Sequence, residues 1–254
     1  MSLAHGVEIE KREGVTRDAF LGGRLTLAQP ARGFRAGLDS VLLGAAVGVT
    51  QGRLLDLGAG VGTAALVALA DRAGLGAVLV EADPAMAALA AENIAANGLA
   101  SRAEVQTLDL AAPGRRALAP DAFAAIIANP PFFDAGSAPA PARAAARHMA
   151  PDALETWLRA AATHAAPGGE AIFIHVASRL PELLAGFARR FGALTILPLT
   201  PRAGAPAHRV LVRGIKGSRA PLTLLASRPL HEAEGRAFRP EFEAIFRGED
   251  RLHW

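Results

Sequence analysis

From position 53 to position 213 the chain alternates short apolar runs with alanine-rich stretches. Arg53–Asp56, Ala77–Glu81, Ala103–Thr107, Phe123–Ala128 and Glu170–Val176 read as strands. Between them Thr63–Arg72, Pro84–Asn97, Pro151–Ala165 and Leu180–Arg190 read as helices. Pro84 opens the second of these and Gly98 stands just past its end, the expected start and stop signals. Leu194–Leu197 and His208–Arg213 predict a closing pair of strands. This spacing implies βαβ units and a mostly parallel sheet with right-handed crossovers. Ahead of it, Arg24–Gln29 alternates like a strand and Phe34–Leu43 reads as a short helix. The low-complexity stretch Gly136–Ala146 is expected to be a loop.

Composition narrows the possibilities. With 254 residues, 51% apolar and 20% charged, the chain fits one α/β globular unit. Cysteine is absent, which excludes disulfides, iron–sulfur clusters and thiolate zinc sites. The seven histidines are scattered with no His-x-x-x-His pair, so no bound metal is expected. No apolar run approaches the roughly 20 residues of a membrane helix. The charged start around Glu8, Glu10, Lys11 and Arg12 lacks the apolar core of a secretory leader. A cytoplasmic protein without membrane contact is therefore expected. The net charge of +3 is small, but arginines gather in places. Arg12, Arg17, Arg24, Arg32 and Arg35 lie near the start, and Arg143 and Arg147 lie in the second half. Arg202, Arg209, Arg213, Lys216, Arg219 and Arg228 gather toward the end. Such patches can neutralise phosphates, although any single arginine is equally well explained as solvated surface.

Leu54-Leu55-Asp56-Leu57-Gly58-Ala59-Gly60-Val61-Gly62-Thr63 runs a strand through a glycine turn into a helix. Glycines let the backbone turn tightly and let a ligand approach it closely. A dinucleotide fingerprint needs glycine at position 63, where this chain has Thr63. The G-x-G-x-G spacing, preceded by Asp56, resembles the class I S-adenosylmethionine methyltransferases. Glu81 ends the second strand, where an acid suits two ribose hydroxyls. The resemblance implies that Asp56 sits near the methionine end of the cofactor. It also implies that Asp109 contacts the cofactor's adenine amino group.

The fourth strand ends in Asn129-Pro130-Pro131-Phe132-Phe133. Two prolines remove two backbone donors and stiffen the turn. An exocyclic amine on a base is a poor nucleophile while its lone pair is conjugated with the ring. The Asn129 side-chain oxygen and the Pro130 carbonyl can each accept one N–H of that amine. Together they direct its lone pair toward a sulfonium methyl. Phe132 offers a flat face for stacking the base. No strong base is required, since alignment supplies most of the rate.

Two N-terminal segments narrow the resemblance. Asp18-Ala19-Phe20-Leu21-Gly22-Gly23-Arg24-Leu25-Thr26-Leu27-Ala28-Gln29-Pro30 and Gly33-Phe34-Arg35-Ala36-Gly37-Leu38-Asp39-Ser40-Val41-Leu42-Leu43 resemble the bacterial tRNA1(Val) adenine-37 N6-methyltransferase family. Pro201-Arg202-Ala203-Gly204, Arg209-Val210-Leu211-Val212 and Lys216-Gly217 are similar to it as well. The resemblance implies a Rossmann-like fold with a mostly parallel seven-stranded sheet and helices on both faces. Residues 1–50 would form a strand and helix extension over the cofactor site, and residues 51–254 the methyltransferase domain. Arg35 and Asp39 would close the cofactor site from that side. The partner would be a tRNA, methylated at an adenine beside the anticodon, with a monomer favoured. Rival enzymes are guanine-N2 rRNA and glutamine N5 protein methyltransferases, and a further rival is an RNA-binding protein without catalysis. The motif leaves adenine and guanine open, since Phe132 also occurs in the guanine enzymes. Glutamine enzymes usually add a helical N-terminal substrate domain, unlike this strand-like arm. Replacing Asn129 tests the mechanism: Asn129→Ala should abolish methyl transfer in a labelled-cofactor assay while calorimetry shows nearly unchanged cofactor affinity.

Overall fold

The alternation of strand and helix becomes a sheet with helices on both faces. The computed structural model describes residues 14–33, 35–111, 118–131 and 153–254. An N-terminal hairpin of β1 (Val15–Phe20) and β2 (Leu25–Pro30) precedes α1 (Leu38–Ala45). The central run is β3 (Gln51–Leu57), α2 (Thr63–Ala70), β4 (Gly74–Glu81), α3 (Pro84–Ala96), β5 (Ala103–Thr107) and β6 (Phe123–Ala128). Then come α4 (Ala153–His164), β7 (Ala165–Val176), α5 (Leu180–Ala188), β8 (Phe191–Thr200) and β9 (Arg209–Lys216). Two short strands, β10 (Thr223–Leu224) and β11 (Arg228–Pro229), precede α6 (Pro240–Arg247).

The strand order is β10-β8-β9-β7-β6-β3-β4-β5, with β11 also paired to β8. All pairings are parallel except those of β9 with β7 and β8. The expected seven strands are present, and β10 and β11 bring the sheet to nine among the described residues. These two span only two residues each, too few to show a period in the sequence. Expected and observed ends differ most at β7, β8 and β9, which run longer than their apolar stretches.

Successive strand residues point to opposite faces, and here both faces are covered. Leu54, Leu79, Ile127 and Ile172 pack under α1, α2, α3 and α6, beside Leu42, Leu66, Ile94 and Phe242. Leu55, Val78, Ile126 and Phe173 pack under α4 and α5, beside Leu158, Leu183 and Phe187. Burial on two faces explains why these strands read as unbroken apolar runs rather than alternating ones.

The hairpin is fastened by two amides one turn apart on α3. Asn93 Oδ1 accepts from the Ala28 N–H at 2.7 Å, and its Nδ2 donates to the Ala28 carbonyl at 3.0 Å. Asn97 repeats the pattern on Thr26, at 3.0 Å and 2.9 Å. The amides thus act as a strand partner for the open edge of β2. Asn93 also donates to the Val61 carbonyl at 2.9 Å, which ties the hairpin to the glycine turn. Asn93 is fully buried, so Asn93→Ala leaves three backbone groups without partners. At about 1–3 kcal/mol for each unpaired group, urea denaturation should show a loss of at least about 3 kcal/mol. Asn97→Ala, at a more exposed position, should lose about 1 kcal/mol.

Candidate active site

β4, β3 and β6 are parallel neighbours, so their C-terminal ends share one edge of the sheet. The chain moves outward from β3 through β4 to β5 and then returns to the other side of β3 as β6. Such a reversal opens a crevice above the strand ends, the usual place for a ligand in an open α/β sheet. Asp56 and Asn129 stand on either side of that reversal.

The glycine turn needs its glycines for backbone shape. Gly58, Gly60 and Gly62 have φ of 59°, 57° and 89°, in the left-handed region. A Cβ on Gly62 would lie 2.8 Å from Leu79 Cδ2. A Cβ on Gly58 would collide with Cη2 of Trp157, so the indole from α4 rests directly on this glycine. Trp157 belongs to the site's framework, a role that no sequence motif marks. The turn is pinned by an Ala59 N–H bond to the Val80 carbonyl at 2.9 Å. Glu81 Oε2 accepts from Gly60 N–H at 2.8 Å, and Oε1 accepts from Asp83 N–H at 2.9 Å. A carboxylate has about four acceptor positions, so Glu81 can hold the turn and still accept hydroxyl donors.

Asp56, Gly58 and Asn129 line one small recess, joined by Ala36 and Ser40 from the N-terminal segment. Asp56 is 2% exposed, and its Oδ2 accepts from Ala65 N–H at 3.2 Å. Burial pushes its pKa up to about 8, opposed by the Ala65 bond and reinforced by the charge of Glu81. Asn129 Oδ1 is buried and has no hydrogen-bond partner among the described residues. An unmet buried acceptor costs about 1–3 kcal/mol, so its retention here points to a donor brought by a ligand. The left-handed backbone of three glycines, the buried acid and this waiting acceptor fit a small ligand with a cationic end and an N–H donor.

Other expected site residues stand apart from the recess. Arg35 donates to Thr16 Oγ1 at 2.8 Å, to Asp18 Oδ2 at 2.6 Å and to the Pro30 carbonyl at 3.1 Å. It braces the hairpin. Asp39 accepts from Arg209 Nε at 2.8 Å and so links α1 to β9. Their sequence neighbours Ala36 and Ser40 are the ones that face the recess. Asp109 is exposed, accepts from Ala111 N–H at 2.8 Å, and borders a separate cavity of about 200 Å³ with Thr156 and Arg159 of α4. Pro130 is buried directly after Asn129. Phe132, Phe133, Phe34, Arg12, Arg143, Arg147 and the Gly136–Ala146 stretch lie outside the described residues. Among the described residues no His, Asp and Glu cluster could hold a metal, and no helix is long and apolar enough to cross a membrane.

Glycine turn, acids at successive strand ends and strand reversal define a Rossmann-like class I methyltransferase fold. Residues 38–197 match the methyltransferase small domain family, and the chain belongs to that family. A release factor glutamine methyltransferase from Cereibacter sphaeroides is 31% identical over 62% of this chain and 59% of its own length. A tRNA1(Val) (adenine(37)-N6)-methyltransferase from Erwinia tasmaniensis is 40% identical over 45% of this chain and 47% of its own. The chain thus spans about half the length of the curated relatives it matches. Among solved structures, a predicted O-methyltransferase from Agrobacterium tumefaciens superposes with a TM-score of 0.72. It is 29% identical and covers 84% of this chain and 98% of its own.

The raised pKa of Asp56 has a testable sign. Its protonated form is favoured by the fold, so its stabilising contribution is full below about pH 4 and is lost as pH rises through about 8. Asp56→Asn keeps the shape without the titration. Denaturation at pH 5 and pH 9 should show the variant gaining on the wild type at pH 9, by a few kcal/mol on the order given by the shift.

Proposed function

We propose that this chain is an S-adenosylmethionine-dependent methyltransferase that acts on the N6 amino group of an adenine in tRNA, beside the anticodon. The observation that carries the reading is the buried Oδ1 of Asn129, without a partner among the described residues and set in one recess with Asp56 and Gly58. Asp56, Gly58, Gly60, Gly62 and Glu81 would hold the cofactor, with Asp109 at the adenine end. When bound, the cofactor supplies an electrophilic methyl group on a sulfonium. Asp56, when ionised, offers negative charge to a cationic amino-acid end, and Glu81 offers acceptors to ribose hydroxyls. Asn129 Oδ1 and the Pro130 carbonyl accept the two N–H groups of the substrate amine and fix the direction of its lone pair. Phe132 is assigned to stack on the base.

The N-terminal segment up to residue 50 is read as an extension over the cofactor site, an arrangement supported by Ala36 and Ser40 on the recess. Arg35 and Asp39 act in this reading through the hairpin and α1 that they brace. The protein is read as cytoplasmic and monomeric. The adenine in tRNA is favoured by the Erwinia relative at 40% identity together with the N-terminal resemblance. A glutamine side chain is the second reading, because its carboxamide also presents two N–H groups and the Cereibacter relative carries that name.

One assay separates the readings. The protein is incubated with labelled S-adenosylmethionine and, in parallel, unmodified tRNA, unmodified rRNA and a release factor. Mass spectrometry of the tRNA digest should show labelled N6-methyladenosine. Labelled N2-methylguanosine or N5-methylglutamine in its place would overturn the adenine assignment.

A further inference from the structure

The sheet edge that carries the site is divided by charge. On the β3, β4 and β5 side stand Glu81, Asp83 and Asp109, together with the buried carboxyl of Asp56. On the β7, β9 and β8 side stand arginines, and strand register places them. Ala128 of β6 is level with Phe173 of β7, so Asn129 comes level with the last residues of β7. At that end Val176 pairs with Arg209, Arg209 pairs with Leu199 of β8, and Leu199 pairs with Arg228 of β11. Arg179 lies in the turn leaving β7, and Arg202 in the loop from β8 to β9. With strands about 4.8 Å apart, this row begins about 5 Å from the strand of Asn129, at Arg179 beyond β7, and ends about 19 Å away, at Arg228 of β11.

We propose that Arg179, Arg202, Arg209 and Arg228 form the surface that receives the phosphodiester backbone of an RNA substrate whose target base enters at Asn129. The proposal rests on the RNA reading above and holds for any base. Two of these charges are partly offset: Arg179 pairs with Glu182 at 3.1 Å and Arg209 with Asp39 at 2.8 Å. Arg202 donates to the backbone carbonyl of Gly235 at 2.5 Å, which orients the guanidinium without neutralising it. Glu232 and Glu234 lie in the neighbouring turn. At that strand end burial, and after it the charges of Arg179 and Arg209, hold the His175 pKa down to about 4, with Glu182 opposing.

The rest of the C-terminal arginine cluster faces elsewhere. Arg213 packs over the Trp254 ring at 4.6 Å, midway down the sheet. Lys216 donates to Asp121 and to the Ala162 and Ala165 carbonyls at the opposite end, and Arg219 follows it there. The fold therefore splits one run of basic residues into a row beside the site and a group that braces the far end. A glutamine side chain has no charge that calls for a row of cations beside the crevice, whereas a polynucleotide carries one negative charge per residue.

The test is fluorescence anisotropy of end-labelled, unmodified tRNA titrated with the full chain over a series of salt concentrations. Arg179→Ala with Arg202→Ala should weaken binding at least tenfold. The slope of log Kd against log salt should fall by about 1.5, as expected for two lost phosphate contacts. S-adenosylhomocysteine affinity should stay unchanged, and the paired Lys replacements should restore tRNA affinity to within about threefold of wild type. Arg219→Ala should bind like the wild type. Unchanged tRNA binding by the double Ala variant, an equal loss from Arg219→Ala, or a wild type that does not bind tRNA would each overturn the proposal. Binding that behaves as expected, alongside labelled N2-methylguanosine, would sink the adenine reading and leave this surface standing.

Discussion

Parallel pairing of β3 with β4 on one side and β6 on the other is the constraint on which the site depends. Leu57 is level with Val80 and with Ala128, so three strands release their chains at the same height. Asp56, Glu81 and Asn129 are far apart in sequence and become neighbours only through that register. A shift of one residue in any of these strands would turn the site residue to the other face of the sheet. Both faces are packed with apolar side chains, so such a slip would also bury polar groups and expose leucines and isoleucines. The core thereby locks the chemistry in place.

The site itself works against stability. It keeps a buried carboxyl whose ionisation is disfavoured and a buried amide oxygen without a partner among the described residues. Particular polar contacts elsewhere offset this cost. Asn93 and Asn97 bind both backbone groups of Ala28 and Thr26. At the other end of the sheet Glu170 accepts from Gly48 and Val49 N–H at 2.7 Å and 3.1 Å. Trp254 donates to the Ala46 carbonyl at 2.8 Å, and the guanidinium of Arg213 lies over its ring. These contacts fasten the segment that leads into β3, so the glycine turn starts from a fixed strand.

Electrostatic division of the functional edge follows from the same topology. Acids gather on the strands that run outward from β3, and arginines on those that follow β6. In the function and surface proposed above, a cationic cofactor and a polyanionic substrate meet from opposite sides at Asn129. The antiparallel entry of β9 matters here, because it brings Arg209 back to the edge that a parallel strand would begin far away from.

Periodicity and turn residues were enough to read β3 through β9 and the four helices between them, because the central strands are buried on two faces and each helix is marked by alanine, proline or glycine. The G-x-G-x-G turn, Glu81 and Asn129-Pro130-Pro131 were legible for a chemical reason: few backbones need three glycines in five positions or two prolines after an asparagine. β1 was not legible, since Thr16, Arg17 and Asp18 make its pattern polar and its pairing depends on β2 and α3. α6 was missed although Pro240 and Gly248 bracket it, because its apolar face of Phe242 and Ile245 is short. Tertiary structure alone decided that Trp157 seats on Gly58 and that Ala36 and Ser40 face the recess while Arg35 and Asp39 act as braces. It also decided which arginines stand beside Asn129. Local sequence specifies backbone shape and which faces are apolar, whereas the meeting of residues from different strands is set by pairing register and packing, which no local pattern encodes.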